Sequence, residues 1–172
     1  MIHHLKILFL FVTIFLFISV NGKAQNSDFD LISVHDLKLN QTITLGDSKE
    51  EVTGVLGDPE NIKQVHWEIN DVMVNVYKYD HSTLSFLDNT LESFYIRDQS
   101  FVLTHKGDEF KVGDSIDVLN TMFPVSFTNM FDKSMVIYFG VEVGSEMKPS
   151  IGYIYIEFDE NNIITGVSTR SR

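Results

Sequence analysis

The residues that most often carry chemistry in proteins form no recognisable catalytic set in this sequence. The histidines beyond residue 24 are His35, His66, His81 and His105, and no two of them have the close spacing of a helix- or strand-borne zinc site. The chain has no cysteine and no Gly-x-Ser-x-Gly nucleophile elbow. We therefore expect no catalytic residue, no metal site and no cofactor, and we expect the protein not to be an enzyme.

Two acidic stretches, Asp28-Phe29-Asp30 and Asp159-Glu160-Asn161-Asn162, hold the kind of carboxylates that bind Ca²⁺. An EF-hand loop also needs ligands at alternating positions, a central glycine and a closing glutamate. Neither stretch has this pattern, so we interpret the second as a hairpin turn.

The tyrosines give a more informative pattern. Along residues 153–158, Ile154 and Ile156 alternate with Tyr153 and Tyr155, and the side chains of a strand alternate between its two faces. We expect the isoleucines to face the core and the tyrosines to lie on an open sheet face. The same alternation in two further predicted strands adds side chains to this face. The predicted partner-binding residues are Tyr77, Tyr79, Tyr138, Glu142, Tyr153, Tyr155 and Glu157.

Tyrosine suits a binding surface because it buries a large area with few rotatable bonds and keeps a polar tip. The structural alternative is that tyrosine has high strand propensity and that cross-strand tyrosine packing stabilises any sheet. The only tryptophan, Trp67, lies in residues 65–69, which read as a strand or as the approach to one. For this side chain we expect packing in the core or at its rim.

A repeated pattern precedes these strands. Gly46-Asp47-Ser48 and Gly113-Asp114-Ser115 are 67 residues apart, and each leads into an apolar stripe with helical spacing. In the first copy the serine and Glu51 have capping-box spacing, and Gly57 suits the position after the helix. In the second copy the aspartate or the serine is expected to cap a helix that Pro124 ends. We interpret both copies as capped turns, since phosphate-binding loops need more glycines or a lysine.

After each predicted helix the apolar period changes from 3.6 to 2, which indicates short antiparallel strands joined by Asn/Asp turns. The sequence therefore predicts an α+β fold of two tandem helix-plus-antiparallel-sheet repeats, with the helices packed on one sheet face. The predicted organisation is a signal peptide over residues 1–24, a leading segment over 25–41, a first repeat over 42–104 and a second repeat over 105–172.

The first 24 residues have the parts of a secretory signal peptide: Lys6, an apolar run over residues 7–20, and the small residues Gly22 and Ala24 before a cut. The run is shorter than the roughly 18 residues of a transmembrane helix, although an uncleaved anchor is the alternative. Cleavage after Ala24 removes two lysines and no acid, so 148 residues remain and the net charge changes from −11 to −13. An acidic, cysteine-free, exported chain predicts a periplasmic or secreted bacterial protein that does not bind nucleic acid and meets membranes at most peripherally.

The first copy contains a glycine followed by Ser-x-x-Glu-Val, an apolar pair, Leu-Gly-Asp-Pro and a later Leu-x-Phe-x-Asp-Asn-x-Leu segment. In these features it resembles the SmpA/OmlA (BamE-like) domain family. The duplicated arrangement is similar to the β-lactamase-inhibitory-protein (BLIP) fold, in which two helix-plus-sheet units form one curved sheet. The resemblance implies non-enzymatic work, either in outer-membrane assembly or in gripping another protein. The matching residues are Gly46, Ser48, Glu51, Val52, Val55, Leu56, Gly57, Asp58, Pro59, Leu84, Phe86, Asp88, Asn89 and Leu91.

These patterns predict an exported binding module that contacts a protein or peptide partner through the open sheet face. The acidic charge favours a partner with a basic patch. Two alternatives stay open, namely an assembly or structural factor of the outer membrane or cell envelope, and an uncharacterised hydrolase. The partner's identity and the oligomeric state are left open as well.

Overall fold

The computed structural model describes residues 29–68 and 70–170, so the predicted signal peptide and its cleavage site lie outside the described residues. Strands account for 52% of the structure and helices for 16%, so the chain is mostly β. The strands are β1 (Leu31–Ile32), β2 (Leu37–Leu39), β3 (Asn61–Trp67), β4 (Val72–Tyr79), β5 (Ser82–Leu87), β6 (Thr90–Ile96), β7 (Leu103–His105), β8 (Asp108–Phe110), β9 (Ser134–Val143), β10 (Glu146–Phe158) and β11 (Ile164–Arg170). The helices are α1 (Lys49–Leu56), α2 (Leu119–Met122) and α3 (Pro124–Thr128), with 3₁₀ turns at Val34–Asp36 and Ile116–Val118.

Eight strands form one large sheet in the order β1-β9-β10-β11-β6-β5-β4-β3. Its neighbouring strands are antiparallel except for β1 and β9, which run parallel, so the sheet is mixed. Strands β2, β7 and β8 form a separate three-stranded antiparallel sheet.

One face of the large sheet is buried and the other is open. In β5, the fully buried Leu84 and Phe86 alternate with partly exposed residues, as expected for a strand that has one face in the core. These two residues belong to one hydrophobic cluster with Val52 of α1, Phe123 at the end of α2, and Leu103 of the small sheet. The helices and the small sheet therefore cover the same face of the large sheet, and the opposite face is free to carry a site.

The predicted fold class is wrong, because the strands form one large mixed sheet instead of two helix-plus-sheet repeats. β6 and β11, from the two predicted repeats, pair directly through Ile96–Val167 and Tyr95–Ser168. β1, from the predicted leading segment, joins β9. Apolar periodicity marks where strands lie, but it carries no information on which distant strands pair. The predicted domain boundaries stay a prediction.

The repeated Gly-Asp-Ser turn has the same geometry in both places. The glycine N–H donates to a strand carbonyl and the aspartate carbonyl accepts from the same strand residue, which is Leu91 for residues 46–48 and Ile164 for residues 113–115. The four N···O distances lie between 2.8 and 2.9 Å. Both glycines have positive φ, +101° for Gly46 and +95° for Gly113. Each turn therefore fastens the segment before a helix to the end of a hairpin.

The predicted capping of α1 is confirmed. Ser48 accepts a hydrogen bond from the Glu51 N–H, and the Glu51 carboxylate accepts from the Ser48 N–H at 2.8 Å. Gly57, with φ +79°, ends the helix. In the second copy Ser115 caps the 3₁₀ turn. Pro124 was expected to end the helix, but it is the first residue of α3, so the helical conformation resumes there.

Candidate functional site: a groove on the open sheet face

A groove of about 550 Å³ lies on the open face of the large sheet. Trp67, at the end of β3, lines it together with Tyr153 of β10 and Arg170 of β11. Ser93 of β6 and Ser168 of β11 belong to the strands between them. The full lining is His66, Trp67, Glu68, Asn70, Glu92, Ser93, Tyr153, Ser168, Thr169 and Arg170.

The sheet register places Tyr153 at the groove. It lies opposite Tyr138 of β9 on one side and Arg170 of β11 on the other. The rings of Tyr138 and Tyr153 are 6.2 Å apart between centroids, and Phe29 continues the row at 4.1 Å from Tyr138. Aromatic pairs at such separations attract each other beyond simple burial. An aromatic row therefore leads from the β1 edge of the sheet to the groove.

The β3–β4 hairpin supplies the opposite wall. Val74 of β4 is fully buried although it belongs to the open face, where it lies opposite Val65 of β3. Its burial shows that side chains of this face close over β4, so the face is not flat here. Near the tip of the hairpin, His66 Nε2 lies 2.9 Å from the Asp71 carboxylate, and both His66 and Trp67 line the groove.

A charged cluster lies beside the groove on the same face. Glu157 of β10 accepts hydrogen bonds at 3.3 Å from the Tyr95 hydroxyl and from the Arg97 guanidinium. Arg97 also donates to the Tyr95 hydroxyl, and this hydrogen bond is the main reason that the pKa of Arg97 is raised above its ordinary value. A side chain on Gly166 would come within 2.8 Å of the Glu157 carboxylate, so glycine leaves the space that the cluster occupies.

Four of the seven predicted site residues are brought together on the open face. Tyr138 and Tyr153 are cross-strand neighbours, Tyr155 lies opposite Val136 and Ser168, and Glu157 belongs to the charged cluster. Glu142 lies farther out, opposite Met147 in the exposed end of the β9–β10 hairpin. That these residues contact a partner remains a prediction.

Tyr77 and Tyr79 lie on the opposite, core-facing side of the sheet. The ring of Tyr77 packs on Phe86 with centroids 4.7 Å apart. Tyr79 lies near Phe101 and donates a hydrogen bond to the Gly57 carbonyl at 3.1 Å, and burial raises its pKa. Alternation along β4 separates the tyrosines from the valines but does not say which set faces the core. Here α1 and its neighbours cover the tyrosines.

Sequence reasoning missed most of the groove. Tyr95 alternates with the buried Phe94 and Ile96, so the period-2 pattern of β6 could have placed it on the open face. Trp67 was expected in the core or at its rim, whereas it lines the groove. Arg97 and Arg170 had no sequence signal, because their positions depend on the pairing of β6 with β11.

Among the described residues, no group of three or more histidines and carboxylates is arranged to hold a metal ion. The part of the chain that the structure describes also contains no helix that is long and apolar enough to cross a membrane.

Comparison with known proteins identifies no family for this chain. No family model matches it, and no curated protein matches it. Among solved structures, it is similar to an extracellular protein containing an SCP domain from Bacillus anthracis, with a TM-score of 0.45 and 12% identity over 88% of this chain and 49% of that chain. It is also similar to a cysteine-rich secretory protein from Staphylococcus aureus, with a TM-score of 0.40 and 11% identity over 74% and 44%. The chain thus spans less than half the length of either protein.

The predicted resemblance to the SmpA/OmlA family and to the BLIP fold is wrong. No family model matches the chain, and its strands form one large mixed sheet instead of the two helix-plus-sheet units that the resemblance implies. The residues that suggested it have local structural roles. Ser48 and Glu51 cap α1, while Leu84 and Phe86 fill the core, and such residues occur in many unrelated folds.

Proposed function

We propose that the protein is an exported, non-enzymatic binding module that holds a protein or peptide partner in the open-face groove. The observation that carries the proposal is the groove itself, which presents Trp67 and Tyr153 beside Glu92 and Arg170. Tryptophan, tyrosine and arginine are the residue types that contribute most to protein interfaces. The signal-peptide pattern of the first 24 residues supports export.

The surroundings of the groove favour a partner with basic groups. The chain has a net charge of −11, and the groove is lined by two carboxylates, those of Glu68 and Glu92, and by one guanidinium, that of Arg170. Complementary charge speeds the encounter of partners and disfavours wrong ones, while the aromatic contacts supply most of the affinity.

The test uses Trp67, which is the only tryptophan of the chain, so its fluorescence reports occupancy of the groove. Proteins retained from envelope extract by the immobilised protein are purified and titrated individually. We expect a true partner to change the Trp67 emission and to bind at least about tenfold more weakly to the Tyr153→Ala variant, because an aromatic anchor is lost. The Phe131→Ala variant is the matched control, since this exposed aromatic lies outside the groove.

Unchanged affinity of a folded Tyr153→Ala variant for every purified candidate would overturn the proposal. Loss of binding in Phe131→Ala to the same extent would also contradict it, because the groove would then have no special role.

A further inference from the structure

The large sheet ends beside the groove in an open edge. β3 pairs with β4 at seven consecutive positions, from Asn61–Lys78 to Trp67–Val72, with no register shift. Within residues 29–68 and 70–170, no strand pairs with the other side of β3. A regular edge strand presents a row of backbone N–H and C=O groups that a further strand can use.

β3 lacks most of the devices that close a sheet edge. It contains no proline and no bulge, and Lys63 is its only lysine. Its side chains are exposed on both faces, including Ile62 at 52% and Val65 at 41%. The other end of the sheet differs, because β1 lies along β9 there and covers part of that edge. β3 is therefore the edge that is open to strand addition.

The edge leads directly into the groove. Trp67 is the last residue of β3 and lines the groove, and Glu68 follows it in the same lining. Lys63 lies in the first half of β3, whereas the exposed carboxylate of Glu68 lies directly after its last residue, in a groove that Glu92 and Arg170 also line. A segment that extends along β3 would therefore meet negative charge and an indole ring at one defined end.

We propose that the partner segment is an extended peptide that adds to β3 as a ninth strand of the large sheet and places a basic side chain in the groove beside Trp67 and Glu68. This inference rests on the proposed function, because it assigns the occupant of the same groove. Backbone hydrogen bonds to the edge provide affinity without regard to sequence, and side-chain pockets provide the choice of sequence. A lysine or arginine gains from the exposed Glu68 carboxylate and from the face of the indole ring.

The probe is a positional-scanning library of capped octapeptides, selected on the immobilised protein. We expect selected peptides to carry lysine or arginine at one fixed position and to change the Trp67 emission. The best peptide is then resynthesised with one backbone N-methyl group at each position in turn. Since only every second amide of an added strand donates to the edge, we expect at least about tenfold loss at alternate positions and less than about twofold loss between them.

Two further measurements locate the peptide. Hydrogen exchange of those amides in residues 61–67 that do not donate to β4 is expected to slow at least about fivefold when the peptide is bound, because only these groups gain partners. Glu68→Gln is expected to weaken the basic peptide about three- to fivefold and to leave a norleucine-substituted peptide unchanged, as for a partly exposed ion pair. Glu60→Gln is the matched control, since Glu60 lies before the other end of β3, 3.5 Å from Lys78.

The outcomes separate this inference from the proposed function. Peptides that change the Trp67 emission and depend on Tyr153 but tolerate N-methylation at every position would refute strand addition and leave the groove proposal standing. If no peptide enters the groove, the inference is refuted, and the proposed function then rests on the purified partners alone. A dimer of the protein through β3 that peptide does not dissociate would also refute it, because a second copy would occupy the edge.

Discussion

The two Gly-Asp-Ser turns make matching backbone contacts but lead into different helices. Residues 46–48 precede α1, an eight-residue helix that ends at Gly57. Residues 113–115 precede a 3₁₀ turn and the short helices α2 and α3. Both turns are tied to the end of a hairpin by the same pair of hydrogen bonds, so the difference arises from the residues that follow them.

This difference shows which features the repeated tripeptide itself determines. The tripeptide determines the positive φ of its glycine and the hydrogen bonds to the hairpin. The capping residues and the next proline determine the type and length of the helix that follows. Glu51 completes a capping box in the first copy, while Asp117 of the second copy accepts from the Ser115 hydroxyl and Pro124 restarts the helix. The region after the second turn, residues 116–128, is called the second region, and α1 is the first. The second region is also packed more deeply, because Phe123 is fully buried whereas Leu56, the residue at the same position after the first turn, is only partly buried.

The largest difference between the turns is expected for their glycines. Gly46→Ala forces a positive φ on alanine and should cost about 1–3 kcal/mol of unfolding free energy. Gly113→Ala carries the same strain, and its Cβ would also displace the end of the exposed Gln99 side chain, whose amide nitrogen lies 2.6 Å away, so we expect a slightly larger loss there. Urea denaturation measures both. Gly54→Ala in α1, where a Cβ has free space, is the control and should stabilise the protein by about 0.5–1 kcal/mol.

Equal losses for the two alanine variants would mean that Gln99 moves aside without cost. A larger loss at Gly46 would contradict the account of the second turn.

The aspartates should differ in the opposite direction. Asp47 accepts two hydrogen bonds, from the Thr44 N–H at 2.8 Å and the Thr44 hydroxyl at 2.9 Å, whereas Asp114 accepts one, from the Lys111 N–H at 2.9 Å. We expect Asp47→Ala to cost about 1–2 kcal/mol and Asp114→Ala about half of that, by urea denaturation. In a Thr44→Val background the cost of Asp47→Ala should fall toward that of Asp114→Ala. An undiminished cost would show that the hydroxyl contributes nothing.

The local structure around the first turn was predictable from the sequence, because it depends on residues close together in the chain. The capping box of Ser48 and Glu51 and the end of α1 at Gly57 were predicted and are confirmed. Short antiparallel strands joined by Asn/Asp turns were predicted as well, and β5 and β6 pair in this way on either side of Asp88 and Asn89. The restart of the helix at Pro124 was missed, because proline is equally compatible with the first turn of a new helix.

The site was less predictable, because it depends on which distant strands are neighbours. Tyr153 and Tyr138 could be placed on one face by alternation alone. Arg170 enters the groove because β11 lies between β10 and β6, and Trp67 enters it because the face closes over β4. Neither arrangement leaves a periodic signal in the sequence.

A smaller difference between the two copies is expected from the capping box of α1. The hydrogen bond from the Ser48 N–H lowers the pKa of Glu51 below its ordinary value. A carboxylate with a lowered pKa stabilises the fold above its unfolded pKa, and this contribution is lost as pH falls through the folded pKa. Glu51→Gln should lower Tm by about 1–3 °C at pH 7 and by less near pH 3. Asp117→Asn, the matched change in the second copy, should have the smaller effect; a larger one would contradict the difference in capping.

Acidification should weaken the second region before the first, because the second region packs against a buried histidine. His105 of β7 is 5% exposed and stacks on Phe123 with centroids 5.1 Å apart. Burial lowers its pKa, assisted by Lys106 and opposed by Asp36 and Asp108. A histidine with a lowered pKa binds its proton more readily in the unfolded chain, so stability falls as pH drops below the unfolded value of about 6.5.

Between pH 7.5 and 5 we therefore expect Tm to fall by about 1–3 °C more in the wild type than in His105→Gln, because the glutamine at position 105 cannot be protonated. Hydrogen exchange should accelerate over this range in β7 and α2, while α1, whose cap depends on the carboxylate of Glu51, should stay protected until lower pH. Exchange that accelerates equally in α1 and α2 would mean that the two regions open together. In that case the deeper packing of Phe123 against His105 would not make the second region the more acid-sensitive one.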